Sequence, residues 1–357
     1  MSICYDVHIH FIGCVWENNE SKERQKAMNR KIWKALGIAV CMLALAAPRA
    51  MAETHVHTVT ADTNFAEVVK SINASKDEGE HVIELYDDIT LEGNHTLTNG
   101  KTTTIKGENH RIFINGSNAG ITVTGEKTTL NLGANGYDKK LTIEGDTGVA
   151  FITVSGRATA NMYENVTLQN RQSTINAYVL VTGSDPVTGS KSVFNMKGGV
   201  IEGGSRAVIA QSGATFNMSG GEIRNCNGGR GSGGGVHVYG ATFVMDGGTI
   251  SGCTANEGGG LCAEKSSTVT INNGTISGCS AGAGGGLYAD NSIVTINKGT
   301  ISGCTAEKNG GGLYADNSTV TISGGTISGC TAKEKGGGLY VTNQSTINIT
   351  GGIISEC

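Results

Sequence analysis

The segment STVTINNGTISGCSAGAGGGLYADN (267–291) decides the fold. It recurs as IVTINKGTISGCTAEKNGGGLYADN (293–317) and as TVTISGGTISGCTAKEKGGGLYVTN (319–343). Two looser copies stand upstream, ATFVMDGGTISGCTANEGGGLCAEK (241–265) and ATFNMSGGEIRNCNGGRGSGGGVHVYG (214–240). Self-similarity with a fixed period in this range indicates a solenoid, a propeller or an array.

The cysteines mark the period, because six of them stand 25–27 residues apart over 226–357. Inside each repeat, Val-Thr-Ile, Thr-Ile-Ser and Leu-Tyr-Ala are three short alternating segments with turn residues between them. No helical 3.6-residue pattern exists, which excludes helical repeats, and a propeller blade needs about 40 residues. We therefore predict an all-β fold, a right-handed parallel β-helix with three short strands per coil and a period of about 26 residues.

Equivalent positions of successive coils should stack in columns, about 4.8 Å apart. Where one column changes from one large apolar residue to another, the neighbouring column changes in the same coil, as expected of a narrow and densely packed core. The predicted inward columns are Ile250, Ile276, Ile301 and Ile327; Phe194, Phe216 and Phe243 continuing as Val269, Val294, Val320 and Ile347; and Met196, Met218 and Met245 continuing as Ile271, Ile296, Ile322 and Ile349. The threonines and serines between them should face outward.

Composition narrows the function. The chain has 357 residues and a net charge of −4, so it has no basic excess to neutralise nucleic-acid phosphates. Glycine is frequent (55 residues) and proline scarce (2), which favours short strands with tight turns over disorder. Nothing resembles a nucleophile triad or a nucleotide site, and the glycine triplets are turns in register rather than a cofactor loop.

The N-terminal part carries an export signal. Residues 28–52 combine a basic start, an apolar stretch too short to span a membrane and a small-residue cleavage pattern. We predict a signal peptide cleaved after Ala52, a secreted or cell-surface location at an outer membrane or cell wall, and no transmembrane span in the mature chain. Residues 1–27 resemble no export element, and we interpret them as an over-extended reading frame that is not part of the mature protein.

Both ends of an open β-helix need covering. We predict an N-terminal cap over 53–80, in which 62–76 forms a short lid helix capped by Asn64. The apolar face of this helix would comprise Phe65, Val68, Val69 and Ile72. The β-helix proper should cover 81–357. The sequence stops at GGIISEC, in register with GGTISGC, so we expect the C-terminal cap to be missing through truncation or to be supplied by a partner.

The repeat motif GGTISGC-TA…GGGLYADN, the lid and GEHVIELYDDITLEGNHTLTNGKTTTIKGENHR (79–111) resemble the pectate-lyase-like right-handed β-helix superfamily. The chain is also similar to glycine-rich surface repeat proteins of gut and oral bacteria and to the chlamydial polymorphic outer-membrane proteins. Gly-Gly-Gly-Leu is near one chlamydial motif, whereas the Phe-x-x-Asn tetrad is missing. The resemblance covers about 53–357 and implies the fold, while many activities share this scaffold. Relatives usually carry asparagine where this chain repeats cysteine.

The repeated cysteines should form one column. Equivalent Cβ atoms about 4.8 Å apart are farther apart than the ~3.8 Å of a disulfide. We therefore expect buried thiols, stacked like small apolar residues, rather than cross-coil disulfides, which export would permit. Cys-x-x-Cys spacing and a repeating histidine are absent, so the sequence predicts no metal site. Cys262 stands in a tyrosine position and should face outward.

One outward row is the candidate binding surface. Leucine and alanine flank each tyrosine of the repeat and should point inward, so the tyrosines point outward, and acidic residues follow two positions on. The candidate ligand-binding residues are Tyr288, Tyr314, Tyr340, Asp290, Asp316 and Glu264. Aromatic rings beside carboxylates predict a sugar-stacking surface, with Ca²⁺ as the one cofactor that the carboxylates would accept. The alternative is structural: tyrosine rows stabilise exposed strands, and Asp-Asn pairs make turns.

Two further patterns have a functional and a simpler interpretation. His55-x-His57 suggests a metal, but no third ligand is evident, and a solvated N-terminal strand is the simpler interpretation. A carbohydrate-active enzyme would need clustered acids and a basic residue in a cleft. The residues available for one in the irregular middle coils are Arg157, Arg171, Arg206, Glu164, Asp185 and Glu202.

We interpret the chain as an exported, surface-displayed β-helix with an adhesive or scaffold role that binds glycans through repeated contacts. Its partners would be a host or cell-wall polysaccharide or a surface protein, and not nucleic acid. The alternative is a carbohydrate-active β-helix enzyme, a polysaccharide lyase or a glycoside hydrolase, for which no catalytic residue is assigned. An acidic cluster in one groove of the middle coils would favour the enzyme.

Overall fold

Each strand of the chain pairs in parallel with the equivalent strand of the next coil. The computed structural model describes residues 53–98, 100–145, 150–170, 177–183 and 188–357. The predicted leader and signal peptide lie outside these residues. The described part is an all-β, right-handed parallel β-helix with a period of about 26 residues, which confirms the prediction from the repeat.

Sheet 1 opens each coil and has twelve strands. They are β1 Thr54–Val59, β2 Glu80–Leu85, β5 Thr102–Lys106, β8 Thr129–Leu132, β11 Thr159–Met162, β14 Val193–Met196, β17 Thr215–Met218, β20 Thr242–Met245, β24 Thr268–Ile271, β28 Ile293–Ile296, β32 Thr319–Ile322 and β36 Thr346–Ile349. The segment predicted as a cap, 53–80, thus contains the first strand of this sheet as well as the helix.

Sheets 2 and 3 complete the coil with eleven and ten strands. Those of sheet 2 are β3 Ile89–Leu91, β6 Arg111–Ile114, β9 Leu141–Gly145, β12 Val166–Asn170, β15 Val200–Gly203, β18 Glu222–Arg224, β21 Thr249–Ser251, β25 Thr275–Ser277, β29 Thr300–Ser302, β33 Thr326–Ser328 and β37 Ile353–Ser355. Those of sheet 3 are β4 Asn94–Leu97, β7 Gly120–Thr124, β10 Ile152–Ser155, β13 Ala177–Thr182, β16 Arg206–Gln211, β19 Val236–Tyr239, β23 Leu261–Glu264, β27 Leu287–Asp290, β31 Leu313–Asp316 and β35 Leu339–Thr342.

A fourth sheet, which the sequence did not predict, lies between sheets 2 and 3 in the C-terminal repeats. Its strands are β22 Thr254–Glu257, β26 Ser280–Ala283, β30 Thr305–Ala306 and β34 Thr331–Ala332. They follow the repeated cysteine directly. The short Ser/Thr-Ala segment there continues in extended conformation and pairs with the next coil, so these coils have four strands rather than three.

The predicted lid is helix α1, Phe65–Ala74, the one helix in the described part of the chain. The Asn64 side chain accepts hydrogen bonds from the backbone N–H groups of Ala66 (3.1 Å) and Glu67 (3.4 Å), as an N-cap residue does. Phe65, Val69 and Ile72 are buried, so the helix covers the first coils with its apolar face. At ten residues it is too short to cross a bilayer, and no described helix meets that requirement.

The core is a set of columns in strict register. Ile276 pairs with Ile250 and Ile301, and Ile301 with Ile327, so the predicted isoleucine column is confirmed. The phenylalanine column is confirmed too, with ring centroids 5.3 and 5.0 Å apart, and it passes into Val269. Nearly all of these side chains are fully buried, so each coil packs against its neighbours along one narrow axis.

The glycine triplets let successive coils approach backbone to backbone. Gly284, the first of its triplet, has φ +62°, a left-handed conformation that favours glycine. At Gly286, the third, an added Cβ would lie 2.6 Å from the carbonyl oxygen of Gly312 and 2.7 Å from Ile301 Cγ2. The triplets are therefore both turns, as predicted, and sites of contact too close for any side chain.

Two hydrogen-bonded ladders of polar side chains run parallel to the axis. Asparagine amides on the outer face of sheet 1 bind one another at 2.8–2.9 Å, and the first of them binds Thr104 at 3.0 Å. This ladder comprises Asn131, Asn161, Asn195 and Asn217. Serine hydroxyls form a second ladder before sheet 1, in which each accepts a backbone N–H of the preceding coil: Ser267, Ser292, Ser318 and Ser345. The chain thus has an asparagine ladder, at another place than the cysteine column.

Candidate functional site

The three repeat tyrosines form a stack on the outer face of sheet 3. Tyr288 pairs with Tyr314, and Tyr314 with Tyr340. The first two rings are 4.9 Å apart and nearly parallel (11°), and the second pair is 5.3 Å apart and tilted by 35°. The flanking leucine and alanine side chains of β27 and β31 are fully buried while the tyrosines stay partly exposed, so the alternation expected from the sequence is present.

Stacking limits what the tyrosine row can offer to a ligand. Both faces of the Tyr314 ring are covered by its neighbours, so a sugar ring cannot lie on them. Ring edges and hydroxyl groups remain accessible. Burial raises the pKa of Tyr288 and of Tyr314, so these phenols stay protonated and able to donate hydrogen bonds.

The acidic row lies beside the tyrosines. Asp290 pairs with Asp316 in register, and burial together with the Asp316 charge raises the pKa of Asp290. Each carboxylate accepts a hydrogen bond from the amide of the following asparagine, Asn291 (2.6 Å) or Asn317 (3.0 Å). These asparagines have φ of 47° and 45°. The Asp-Asn pairs therefore make the tight turns that the structural interpretation required, while the carboxylates also line the outer face.

In the two coils before Tyr288 the tyrosine position holds other residues. It is His237 in the earlier coil and Cys262 in the later one, and both stand in register with Tyr288. Cys262 stands in the outward column, as expected from its tyrosine position, and it is nevertheless fully buried. The Cys262 side chain is much shorter than the aromatic side chains of His237 and Tyr288 on either side of it in the column, so these neighbours cover it. Burial raises the pKa of Cys262, and the nearby carboxylates of Glu264 and Glu257 act in the same direction.

Glu264 departs from the aspartate of the later coils. Its carboxylate reaches back one coil to the His237 ring, with Oε2 2.6 Å from Nε2. That hydrogen bond lowers the pKa of Glu264, so the group is ionised at neutral pH. One ligand atom from each of His237, Cys262 and Glu264 lies within 4.8 Å of the other two. The sequence did not predict this cluster, although the replacement of tyrosine by histidine and cysteine in adjacent repeats was its visible signal.

The inner cysteine column consists of free thiols, as expected. Cys226, Cys253, Cys279, Cys304 and Cys330 are fully buried, and Cys357 is exposed. Each sulfur contacts the carbonyl oxygen two residues before it, for example Ser277 at 3.4 Å from the sulfur of Cys279. The contact with the thiol of the preceding coil and then burial raise the pKa of Cys279 and of Cys304 to about 12. These thiols are therefore unreactive packing residues.

The N-terminal histidines lie on a strand whose outward side chains are exposed, as expected, while the histidines themselves are partly buried. His55 and His57 lie on β1, which pairs with β2, and the structure adds His81 of β2 as a neighbour that the sequence did not suggest. His57 Nε2 is 3.1 Å from His81 Nδ1, and the rings of His55 and His81 stack at 5.1 Å. Burial, followed by repulsion between the histidines, lowers the pKa of His57 and of His81. His57 and His81 therefore favour the neutral form at neutral pH, within a partly buried cluster of histidines.

Four of the residues considered for an enzyme lie at different places on the coil. Arg206 lies on sheet 3, and Glu202 lies on sheet 2, where its carboxylate accepts a hydrogen bond from an arginine one coil on (2.7 Å). Arg157 and Glu164 lie in the turns on either side of β11. These four are thus spread over sheets 2 and 3 and the two turns beside β11. Two members of the set lie outside the described residues, Arg171 and Asp185.

Comparison with known proteins gives one match. A family model described as the right-handed beta helix region matches residues 179–354. No curated protein and no solved structure matches the chain. The match covers the coils that carry the tyrosine row, and it agrees with the register seen in sheets 1 to 3. The similarity to bacterial and chlamydial surface proteins stays a prediction.

Proposed function

We propose a function for the chain from the premise that it is a pectate-lyase-like right-handed parallel β-helix. In this proposal it is an exported, surface-displayed protein with an adhesive or scaffold role, which binds glycans along one outer face. The fold alone does not give this function, since many activities share it. The proposal rests on the face itself.

The observation that carries the proposal is the repetition of the same polar groups once per coil. Tyrosines of β27, β31 and β35 pair in register, and the carboxylates of Asp290 and Asp316 stand beside them. Neighbouring coils lie about 4.8 Å apart, so an extended polymer along the axis would meet the same hydroxyl and carboxylate groups in every coil. Each contact is weak, but repeated contacts on one chain raise the overall avidity by about 10²–10⁴.

The mode of binding follows from the stacking. Because the tyrosine faces cover one another, the ligand would be held by hydrogen bonds from phenol hydroxyls and to carboxylates rather than by rings lying on sugars. A polyhydroxylated ligand offers both donors and acceptors for such contacts. Ca²⁺ would serve as an additional bridge between the acidic row and sugar hydroxyls.

Glycan binding is tested with a triple variant, Tyr288→Ser, Tyr314→Ser and Tyr340→Ser, on an array of host and cell-wall polysaccharides. The matched control is Thr270→Ala, Thr295→Ala and Thr321→Ala, an outward row on sheet 1 with the same register. We expect the tyrosine variant to lose the avidity of the wild type, by about 100-fold or more, and the threonine variant to keep it. Equal binding by both variants, with the fold intact by circular dichroism, would refute the glycan surface.

Export has an independent test. If the signal peptide of residues 28–52 is removed after Ala52, the mature chain begins at Glu53 and contains neither Trp16 nor Trp33. The protein recovered from the cell envelope or medium should then show tyrosine emission only, and N-terminal sequencing should start at Glu53. Tryptophan emission from the exported protein would contradict the proposed processing.

A further inference from the structure

The cluster of His237, Cys262 and Glu264 lies at the point where the tyrosine column departs from its repeat. In the three following coils the same column position is tyrosine, and the position two residues on holds Asp290, Asp316 and then Thr342. In β19 and β23 the column holds histidine and cysteine instead, and the acid is the longer glutamate. Three departures in two adjacent coils thus bring an imidazole, a thiol and a carboxylate together.

We propose that His237, Cys262 and Glu264 bind one divalent transition-metal ion of the zinc type. The ligand atoms would be a ring nitrogen of His237, Sγ of Cys262 and a carboxylate oxygen of Glu264, and one such atom from each residue lies within 4.8 Å of the other two. Bonds of about 2.0–2.3 Å from zinc hold tetrahedral ligand atoms about 3–4 Å apart, so small side-chain rotations suffice. The site is independent of the glycan proposal.

The choice of metal follows from the donor set. One sulfur, one imidazole nitrogen and one carboxylate oxygen suit Zn²⁺ and its chemical relatives, whereas Ca²⁺ and Mg²⁺ require oxygen ligands. Three protein ligands leave a fourth position open, as in catalytic rather than purely structural zinc sites. The His237 and Glu264 side chains are 15% and 20% exposed, so an ion can enter from the outer face while the thiol below is shielded.

The rigid setting favours binding. All three ligands lie on adjacent paired strands of sheet 3, whose inward neighbours are fully buried core residues. A site built on strands holds its geometry better than one on loops. The Glu257 carboxylate, held by the Ser232 hydroxyl at 3.1 Å, adds a further negative charge beside the thiol. The cluster therefore has both the geometry and the charge to attract a cation.

The test uses the full chain, stripped with chelator and titrated with Zn²⁺ and Co²⁺. We expect one ion per chain by elemental analysis and, with Co²⁺, a sulfur-to-metal charge-transfer band. Cys262→Tyr and His237→Tyr restore the residue that the later coils carry, so the fold is preserved. Each should weaken Zn²⁺ binding by more than about 100-fold, since loss of an outer-shell partner alone costs about 10–100-fold.

Two further variants separate the site from other sources of binding. Cys357→Ser removes the exposed cysteine and should leave both the stoichiometry and the Co²⁺ band unchanged. Glu264→Gln keeps the shape of the side chain and should weaken binding without removing the sulfur band. Wild-type protein that binds no Zn²⁺, or a Cys262→Tyr variant that retains one ion with the same spectrum, would overturn the proposal.

Discussion

Glycine and cysteine have complementary roles at neighbouring places in each coil. The third glycine of a triplet removes a side chain where the carbonyl oxygen of the next coil passes, and the cysteine fills the small space beside it: an added Cβ on Gly286 would lie 3.2 Å from the sulfur of Cys304. The sequence showed both as markers of the period. Their pairing in space became visible only with the coils in register.

Replacement of Gly286 by alanine should destabilise the protein. The new Cβ would meet the backbone of Gly312 and the side chain of Ile301 at distances that neither can relieve, a cost of about 1–3 kcal/mol typical of overpacking. Chemical denaturation monitored by circular dichroism measures it. Gly93→Ala, where an added Cβ meets nothing within 4 Å, is the control and should change stability by less than about 1 kcal/mol. An equal effect at both positions would refute the packing argument.

The thiols of the cysteine column should not react with a thiol reagent in the folded protein. Of the seven cysteines in the described residues, Cys357 is exposed and six are buried. A thiol reagent should therefore label one cysteine in the native mature protein and seven after unfolding without reductant. The raised pKa of Cys279 and of Cys304 adds to their protection, since the thiolate is the reactive form. Near-zero labelling of the unfolded chain would show that disulfides form instead.

For single residues, the sequence predicted the face to which a side chain points better than it predicted how far that side chain is buried. Alternation placed Tyr288 outward and Leu287 inward correctly, because strand geometry alone determines the face. It also placed Cys262 correctly in the outward column. It did not predict the full burial of this residue, which depends on the size of its neighbours in the adjacent coils rather than on its own strand. The hydrogen bond between Glu264 and His237 was not predicted for the same reason. It depends on a residue of the preceding coil, which the longer side chain of glutamate can reach.

Among the elements, the strands with apolar alternation were predictable and the fourth sheet was not. Thr305–Ala306 is only two residues long, too short for any periodic signal, and it exists because the neighbouring coils offer partners. Helix α1 was predictable from its cap and apolar face, over 62–76 against the observed Phe65–Ala74. A strand at His55 and His57 was expected too, but its pairing with β2 was not, since Thr54–Val59 carries histidines where later coils carry apolar residues. Tertiary pairing decided both the fourth sheet and this extension of sheet 1.

The N-terminal elements should loosen in mild acid. Burial lowers the pKa of His57, His81 and His95 below the unfolded value of about 6.5. The unfolded state therefore binds more protons, and the stability of this region, full above about pH 6.5, falls as the pH drops through that value toward the folded pKa values. Hydrogen exchange in β1 and α1 between pH 7.5 and 5 measures this. His81→Thr, the residue found one coil on at Thr103, should reduce the dependence; an unchanged pH profile would contradict it.

For the whole molecule, the coils are nearly interchangeable units that contact only their neighbours. Deletion of residues 305–330 removes one period of 26 residues and joins Cys304 to Thr331, which stands in register with Thr305. The shortened chain should fold cooperatively with a modestly lower Tm. Deletion of residues 305–317 removes half a coil, places inward residues outward and should prevent folding of the C-terminal part. Thermal unfolding by far-UV circular dichroism distinguishes the two; a half-coil deletion that folds equally well would refute the register argument.

The stacked phenols of Tyr288, Tyr314 and Tyr340 have an optical consequence. The first pair of rings is nearly parallel at 4.9 Å and the second is tilted at 5.3 Å. Transition dipoles held this close couple with one another, so the row should behave as one excitonic chromophore within a chiral frame. The near-ultraviolet circular dichroism spectrum would then carry a coupled tyrosine signal of the last coils. Loss of the middle ring in Tyr314→Ser should collapse that signal far more than its one-third share of the chromophores, giving a spectroscopic reporter for any ligand that disturbs the stack.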